Sequence, residues 1–194
     1  MSVLDKFVGK KYRTADYWFK VIPLVEYENR PIKYLEIGAF YGANLLTVAD
    51  SYGKHPESEL FCIDPWEDYE DYPEYKNEQE NIYETFLKNV EHSGVQERIT
   101  AIRGYSSNEI PRLQDDFFDI IYIDGNHEPE YVLEDAVLCY RKLKVGGWLI
   151  FDDYGWGGPD LTERGIRAFV DVYCNRLQAP GIIKDMQLFA KKIR

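Results

Sequence analysis

Short apolar runs recur along the chain, and each is followed by a longer stretch in which apolar residues return every three or four positions. Ile32–Ile37, Leu60–Asp64, Ile99–Arg103, Phe118–Asp124 and Trp148–Asp152 read as buried strands. Between and after them, helices are expected from about Gly42 to Tyr52, Lys76 to His92, Ser107 to Leu113, Tyr131 to Leu143 and Glu163 to Cys174. Ahead of the first strand, Tyr17, Trp18, Val21, Ile22, Leu24 and Val25 suit an amphipathic helix within Thr14 to Asn29, kinked or interrupted at Pro23. The tail, Ile182–Lys192, is expected to hold two short strands joined by a tight turn. Strand–helix alternation of this kind predicts an α/β fold: a Rossmann-like, doubly wound, mostly parallel seven-stranded sheet with helices on both faces. No repeat or linker interrupts it. One domain is therefore expected over residues 1–194, with a helical segment at 1–30 and the core at 31–194.

In open parallel sheets, ligands bind beyond the C-terminal ends of the strands. The residues there are Glu36–Gly38, Asp64, Gly104–Ser106, Asp124–His127 and Asp152–Asp153, and most are acidic, glycine or polar. The first turn, YLEIGAFYGANLL, has the pattern E-x-G-x-x-x-G, in which Gly38 and Gly42 let the backbone turn tightly and approach a ligand. Phe40 stands where a dinucleotide fingerprint has its second glycine, so a nicotinamide cofactor fits poorly. Glu36 would repel a pyrophosphate but accept from an ammonium, which favours a ligand with an amino-acid moiety. Asp64, 28 residues after Glu36, can accept from both hydroxyls of a ribose, and Trp66 can stack near an adenine. The alternatives are a plain strand–helix turn and an Asp-Pro turn.

Asp124 ends the fourth predicted strand, and Asp152 and Asp153 end the fifth, 28 and 29 residues later. Neighbouring strand ends would bring three carboxylates to one spot, an arrangement that asks for a neutralising cation. Hard oxygen ligands favour magnesium, calcium or manganese over zinc, and open positions suit magnesium. Solvated loop aspartates are the alternative. His127, three residues after Asp124, is a candidate general base, with Asp124 as its competitor.

A net charge of −11 and a pI of about 4.8 oppose the nucleic-acid and anionic-membrane classes, and point to a small-molecule or sugar acceptor. Cys62, Cys139 and Cys174 are odd in number and far apart, as in a reduced, cytoplasmic protein. No apolar run approaches the ~20 residues of a membrane span. A homo-oligomer is left open.

Taken together in order, EIGAFYG, IDPW, IDGNH and KVGGWLIFDDY resemble class I S-adenosylmethionine-dependent methyltransferases, over roughly Ile32 to Tyr154. The resemblance implies S-adenosyl-L-methionine as cofactor. It implies that Glu36 and Gly38 contact the methionine part, with Asn44 near its carboxylate, Asp64 on the ribose, and Tyr105 and Ser106 bordering the adenine. Phe40, Tyr41, Gly42, Pro65, Trp66 and Asp124 complete the implied cofactor contacts. Within the family, the Asp at one strand end and the Asp-Asp pair at the next are similar to metal-dependent O-methyltransferases of the catechol and antibiotic-sugar types. That implies a metal at Asp124, Asp152 and Asp153 and methylation of a hydroxyl, with a sugar preferred as acceptor. The segment WEDYEDYPEYKNE reads as a lid or a solvated loop, and Trp156 in YGWGGPDLTER can stack on a sugar face or an aromatic ring. A metal-independent methyltransferase acting at oxygen or nitrogen and a non-catalytic cofactor-binding module remain as alternatives.

Overall fold

All six residues of Phe118–Ile123 (β4) are buried, as expected of a strand covered on both faces of a parallel sheet. Its one charged member, Asp119, is satisfied by the Lys33 backbone N–H at 2.8 Å and the Lys144 ammonium at 3.0 Å. The computed structural model describes residues 3–12, 14–68 and 73–194. The other strands are Lys33–Ile37 (β1), Glu59–Asp64 (β2), Ile99–Arg103 (β3), Leu143–Phe151 (β5), Leu177–Lys184 (β6) and Gln187–Lys192 (β7). They form a seven-stranded sheet in the order β3-β2-β1-β4-β5-β7-β6. The pairs β1–β4, β2–β3 and β4–β5 are parallel, whereas β7 runs antiparallel to β5 and β6. The winding reverses at β1, which is the switch point of a Rossmann-like sheet. The α-helices are Ala43–Asp50 (α1), Gln79–Ser93 (α2), Ser106–Glu109 (α3), Pro129–Lys142 (α4) and Thr162–Tyr173 (α5).

The chain packs as two compact units. The first holds residues 1–32 and 39–104. Seven of the eight residues of α1 are buried. Trp18 and Tyr52 pack with ring centroids 5.8 Å apart, and the Tyr52 hydroxyl donates to the Ile22 carbonyl at 2.8 Å. The expected N-terminal helix is instead two 3-10 turns, Ala15–Lys20 and Leu24–Glu26. Pro23 lacks the amide a continuous helix needs, and it separates the two turns. The second unit holds residues 33–38 and 105–194. Its interior is lined by β4, β5 and β7, with Ile166 and Phe169 of α5 fully buried. Each fully buried Ile or Phe of this kind contributes about 1.5–3 kcal/mol through burial.

Cys62 and Cys139 are buried, Cys174 is exposed, and all three are free thiols. Among the described residues, no helix is long and apolar enough to cross a membrane. The predicted lid segment is described only in part, because residues 69–72 lie outside the described residues.

Candidate active site

Asp64, the last residue of β2, organises the turn Ala39–Gly42. Its Oδ2 accepts from the backbone N–H of Ala39 at 2.8 Å and of Phe40 at 2.9 Å, and its Oδ1 accepts from that of Trp66 at 2.8 Å. Phe40 and Trp66 sit in the left-handed region, with φ of 50° and 44°. Burial pushes the Asp64 carboxyl above the usual range, against the opposing pull of the three amides. An ionised carboxylate offers about four acceptor directions. With three facing amides, about one remains for a ligand hydroxyl, fewer than the two ribose bonds expected from the sequence.

Trp66 departs further from expectation. It is only 1% exposed, with its ring centroid 4.7 Å from Tyr83 and 4.8 Å from Phe86, and its indole N–H donates to the Phe40 carbonyl at 3.0 Å. It braces the turn from inside the core and has no exposed face to stack on an adenine. The Pro65 carbonyl accepts from Arg103 at 3.4 Å, and Arg103 pairs with Glu80 at 2.7 Å. The Tyr41 carbonyl accepts from the buried Asn89 amide at 2.9 Å, and Asn89 also bonds both backbone groups of Val8. Gly42, with φ of 85°, opens α1, and Asn44 is buried in its first turn.

In the second unit, Glu36 is buried and accepts from the Tyr34 hydroxyl at 2.5 Å. Gly38 has φ of +81°, and a Cβ there would lie 1.9 Å from the Asp124 carbonyl oxygen. Only glycine combines that backbone with so close an approach. The parallel ladders run one step past the strand ends, with Asp124 N–H on the Ile37 carbonyl at 2.8 Å and Asp152 N–H on the Ile123 carbonyl at 2.9 Å.

The Asp-Asp pair divides. Asp152 is buried, and its Oδ2 accepts from the Tyr122 hydroxyl at 2.6 Å; the same hydroxyl lies 3.4 Å from Asp124 Oδ2. Burial and the carboxylates of Asp124 and Asp152 hold the Tyr122 phenol far above its ordinary range. Asp153, with φ of 54°, faces His127 instead, Oδ2 to Nε2 at 2.9 Å. Asp124, His127 and Asp153 each bring one ligand atom into a group spanning no more than 4.8 Å. The sequence had grouped Asp124, Asp152 and Asp153. The structure puts His127 in that cluster, with Asp152 one step inward against Tyr122. The two carboxylates suit a magnesium- or manganese-like ion, whereas the imidazole is a poor magnesium ligand and stands beside them as a proton acceptor. Because an ionised carboxylate only accepts, the His127–Asp153 contact assigns the proton of a neutral imidazole to Nε2 and its lone pair to Nδ1. The Trp156 ring sits 4.6 Å from His127 and is 39% exposed.

Tyr105 is half exposed, and Ser106 opens α3. Sequence reasoning missed the partner of Ser106. Asp135 of α4 is 4% exposed and hydrogen-bonds the Ser106 side chain, and its Oδ2 lies 3.3 Å from where a Cβ on Gly125 would stand. The signal was a carboxylate inside the buried stripe Val132, Ala136, Cys139. Burial pushes the Asp135 carboxyl up to about 7. A native group that keeps its proton to about pH 7 supports folding fully below the unfolded value near 3.9, and that support is lost as pH rises through about 7. Asp135→Asn, which cannot ionise, is expected to be about 2–4 kcal/mol more stable relative to wild type at pH 8 than at pH 4. Urea unfolding at the two pH values checks this.

A mostly parallel sheet reversing at β1, a glycine turn at the switch point and carboxylates at the strand ends place the protein in the Rossmann-like α/β class. Residues 35–154 match the family described as "Methyltransferase domain", more than half of the chain, and the chain belongs to that family. It is 31% identical over 133 residues to the uncharacterized protein R132 of Acanthamoeba polyphaga mimivirus, covering 66% of this chain and 54% of that protein. It is 29% identical over 125 residues to the O-methyltransferase hkm8 of Aspergillus hancockii, covering 64% and 44%. The chain thus spans about half the length of the curated relatives it matches. Among solved structures it shares its fold with the O-methyltransferase NovP, with a TM-score of 0.69, 16% identity and coverage of 90% of this chain and 77% of that one. The methyltransferase MycE, solved with magnesium, S-adenosylhomocysteine and mycinamycin VI, gives a TM-score of 0.59 at 19% identity, covering 87% and 47%. The O-methyltransferase TomG of Streptomyces achromogenes, solved with S-adenosylmethionine, gives 0.63 at 18% identity, covering 88% and 77%.

Proposed function

We propose that the protein is an S-adenosylmethionine-dependent O-methyltransferase that uses a divalent cation to methylate a hydroxyl of a sugar-bearing or other small molecule. The observation that carries this reading is the convergence of Asp124, His127 and Asp153 just beyond the ends of β4 and β5. When bound, S-adenosylmethionine supplies an electrophilic methyl group, and a divalent ion lowers the pKa of a coordinated hydroxyl. Asp124 and Asp153 are the residues that would hold the ion, with Asp152 supporting them. Glu36 would accept from the ammonium of the methionine part, the Gly38 turn would admit its chain, and Asp64 would take a ribose hydroxyl, with Tyr105 and Ser106 as the residues that would border the adenine. His127 takes the acceptor proton at Nδ1 while Asp153 holds Nε2. Trp156 offers a face to a sugar or aromatic ring beside His127, and orienting the acceptor there supplies much of the rate. The magnesium and mycinamycin VI present in the MycE structure support the choice of a divalent ion and a small-molecule acceptor.

The His127–Asp153 contact also supports a second reading, in which an Asp–His pair acts as general base without metal. Methyl transfer from labelled S-adenosylmethionine to a panel of sugar and catechol acceptors, with magnesium and then with EDTA, separates the two. Activity that disappears in EDTA and returns with magnesium supports the metal. Activity indifferent to EDTA favours the Asp–His pair.

A further inference from the structure

On β4, Tyr122 carries a buried hydroxyl into a group of buried polar side chains that includes Glu36, Asp152 and Gln187. It has no exposed surface, and its oxygen lies within hydrogen-bonding distance of two carboxylates, Asp152 at 2.6 Å and Asp124 at 3.4 Å. A phenol has one proton to give, and the shorter contact assigns it to Asp152. From the other side, the Gln187 amide of β7 donates to the phenol oxygen at 3.5 Å, which leaves the hydroxyl proton to point at the carboxylates. Gln187 is 3% exposed and Asp152 5%, so solvent does not set the orientation of either. Strand register fixes the geometry. Tyr122 stands abreast of Ile150, which places its ring two residues short of Asp152 on the adjacent strand, and Asp124 follows on the same face of β4.

Two carboxylates that approach the same phenol oxygen repel each other, and the hydroxyl between them offsets part of that repulsion. We propose that Tyr122 is a positioning residue whose hydroxyl fixes the Asp152 carboxylate and screens it from Asp124, so that the acidic group is preset for a divalent cation. This rests on the metal-assisted reading above. Hydrogen-bond partners of this sort around metal ligands change affinity by about 10- to 100-fold when removed.

The test is calorimetric titration of magnesium, and separately manganese, into the wild-type chain, Tyr122→Phe and Tyr52→Phe. Tyr52 is a buried, hydrogen-bonded phenol bonded to the Ile22 carbonyl and serves as the control. S-Adenosylhomocysteine binding and thermal unfolding are measured on the same preparations. Tyr122→Phe is expected to bind magnesium about 10- to 100-fold more weakly, with S-adenosylhomocysteine binding unchanged. Tyr52→Phe is expected to keep wild-type magnesium affinity. With an acceptor in hand, kcat falls in Tyr122→Phe while KM for S-adenosylmethionine holds. Should Tyr122→Phe fail to fold, Gln187→Leu is read in its place, with a smaller loss of the same sign expected. Wild-type affinity in Tyr122→Phe, or in Gln187→Leu where that is read, or an equal loss in Tyr52→Phe, overturns the proposal alone. A wild-type chain that takes up neither ion overturns the metal-assisted reading and this proposal with it.

Discussion

Asp124→Ala is expected to abolish magnesium binding and to slow methyl transfer by about 10²–10⁴-fold. The substitution removes one of the two carboxylates that face His127 and leaves the His127–Asp153 pair in place. It spares the fold, because the Asp124 side chain is only half-buried and the hydrogen bond that continues the ladder runs from its backbone N–H to Ile37. Calorimetry with magnesium and a turnover assay on any acceptor found by screening check both halves. A variant with wild-type metal affinity would place the cation elsewhere. A variant that loses metal yet keeps its rate would favour the Asp–His base over metal assistance.

Gly38→Ala is expected to be the most damaging single methyl group in the glycine turn. The backbone there has φ of +81°, which costs an L-residue about 1–3 kcal/mol, and the new Cβ would meet the Asp124 carbonyl oxygen at 1.9 Å. Both partners are backbone, so neither can rotate aside. β1 and β4 would have to separate at the ends that carry Glu36 and Asp124. A loss of at least about 3 kcal/mol follows, which for a chain of this size lowers Tm by roughly 6–12 °C. Cofactor binding should be lost as well. Thermal unfolding by circular dichroism reads the first effect and S-adenosylhomocysteine calorimetry the second. A Tm within a degree or two of wild type would contradict the close approach.

The alternation of elements was legible because strands buried on both faces leave uninterrupted apolar runs. Ile99–Arg103 has the predicted limits, and β1, β2 and β4 differ by a single residue at one end. β5 begins five residues earlier than expected, at Leu143 instead of Trp148. Gly146 and Gly147 lie between the predicted helix and the predicted strand, but the strand runs through them, with Gly146 at φ of +87° and a register shift between Phe118 and Ile120 opposite. The N-terminal pattern carried helical spacing without enough length on either side of Pro23 to sustain an α-helix.

At the site, the strand-end rule located the acidic positions, but it could not say which way each side chain turns. Consecutive residues leaving a strand point to opposite sides. Asp152 and Asp153 therefore divide between Tyr122 and His127, and three carboxylates do not meet as one group. Tyr122 and Asp135 were hidden for another reason. A tyrosine in an apolar strand and an aspartate in an amphipathic helix are both ordinary in sequence, and only packing shows that their polar atoms are buried against site residues. Trp66 misled in the opposite sense, since an aromatic residue beside an Asp-Pro turn looks available to a ligand until its neighbours Tyr83 and Phe86 are seen to enclose it.

The most direct test of the account is a calorimetric titration of the purified chain with S-adenosylmethionine, followed by magnesium into the cofactor-saturated protein and a repeat of both after EDTA treatment. Saturable one-to-one cofactor binding is expected, and then a magnesium heat that is restored whenever the ion is returned after chelation. A folded chain that binds neither S-adenosylmethionine nor a divalent cation would contradict it.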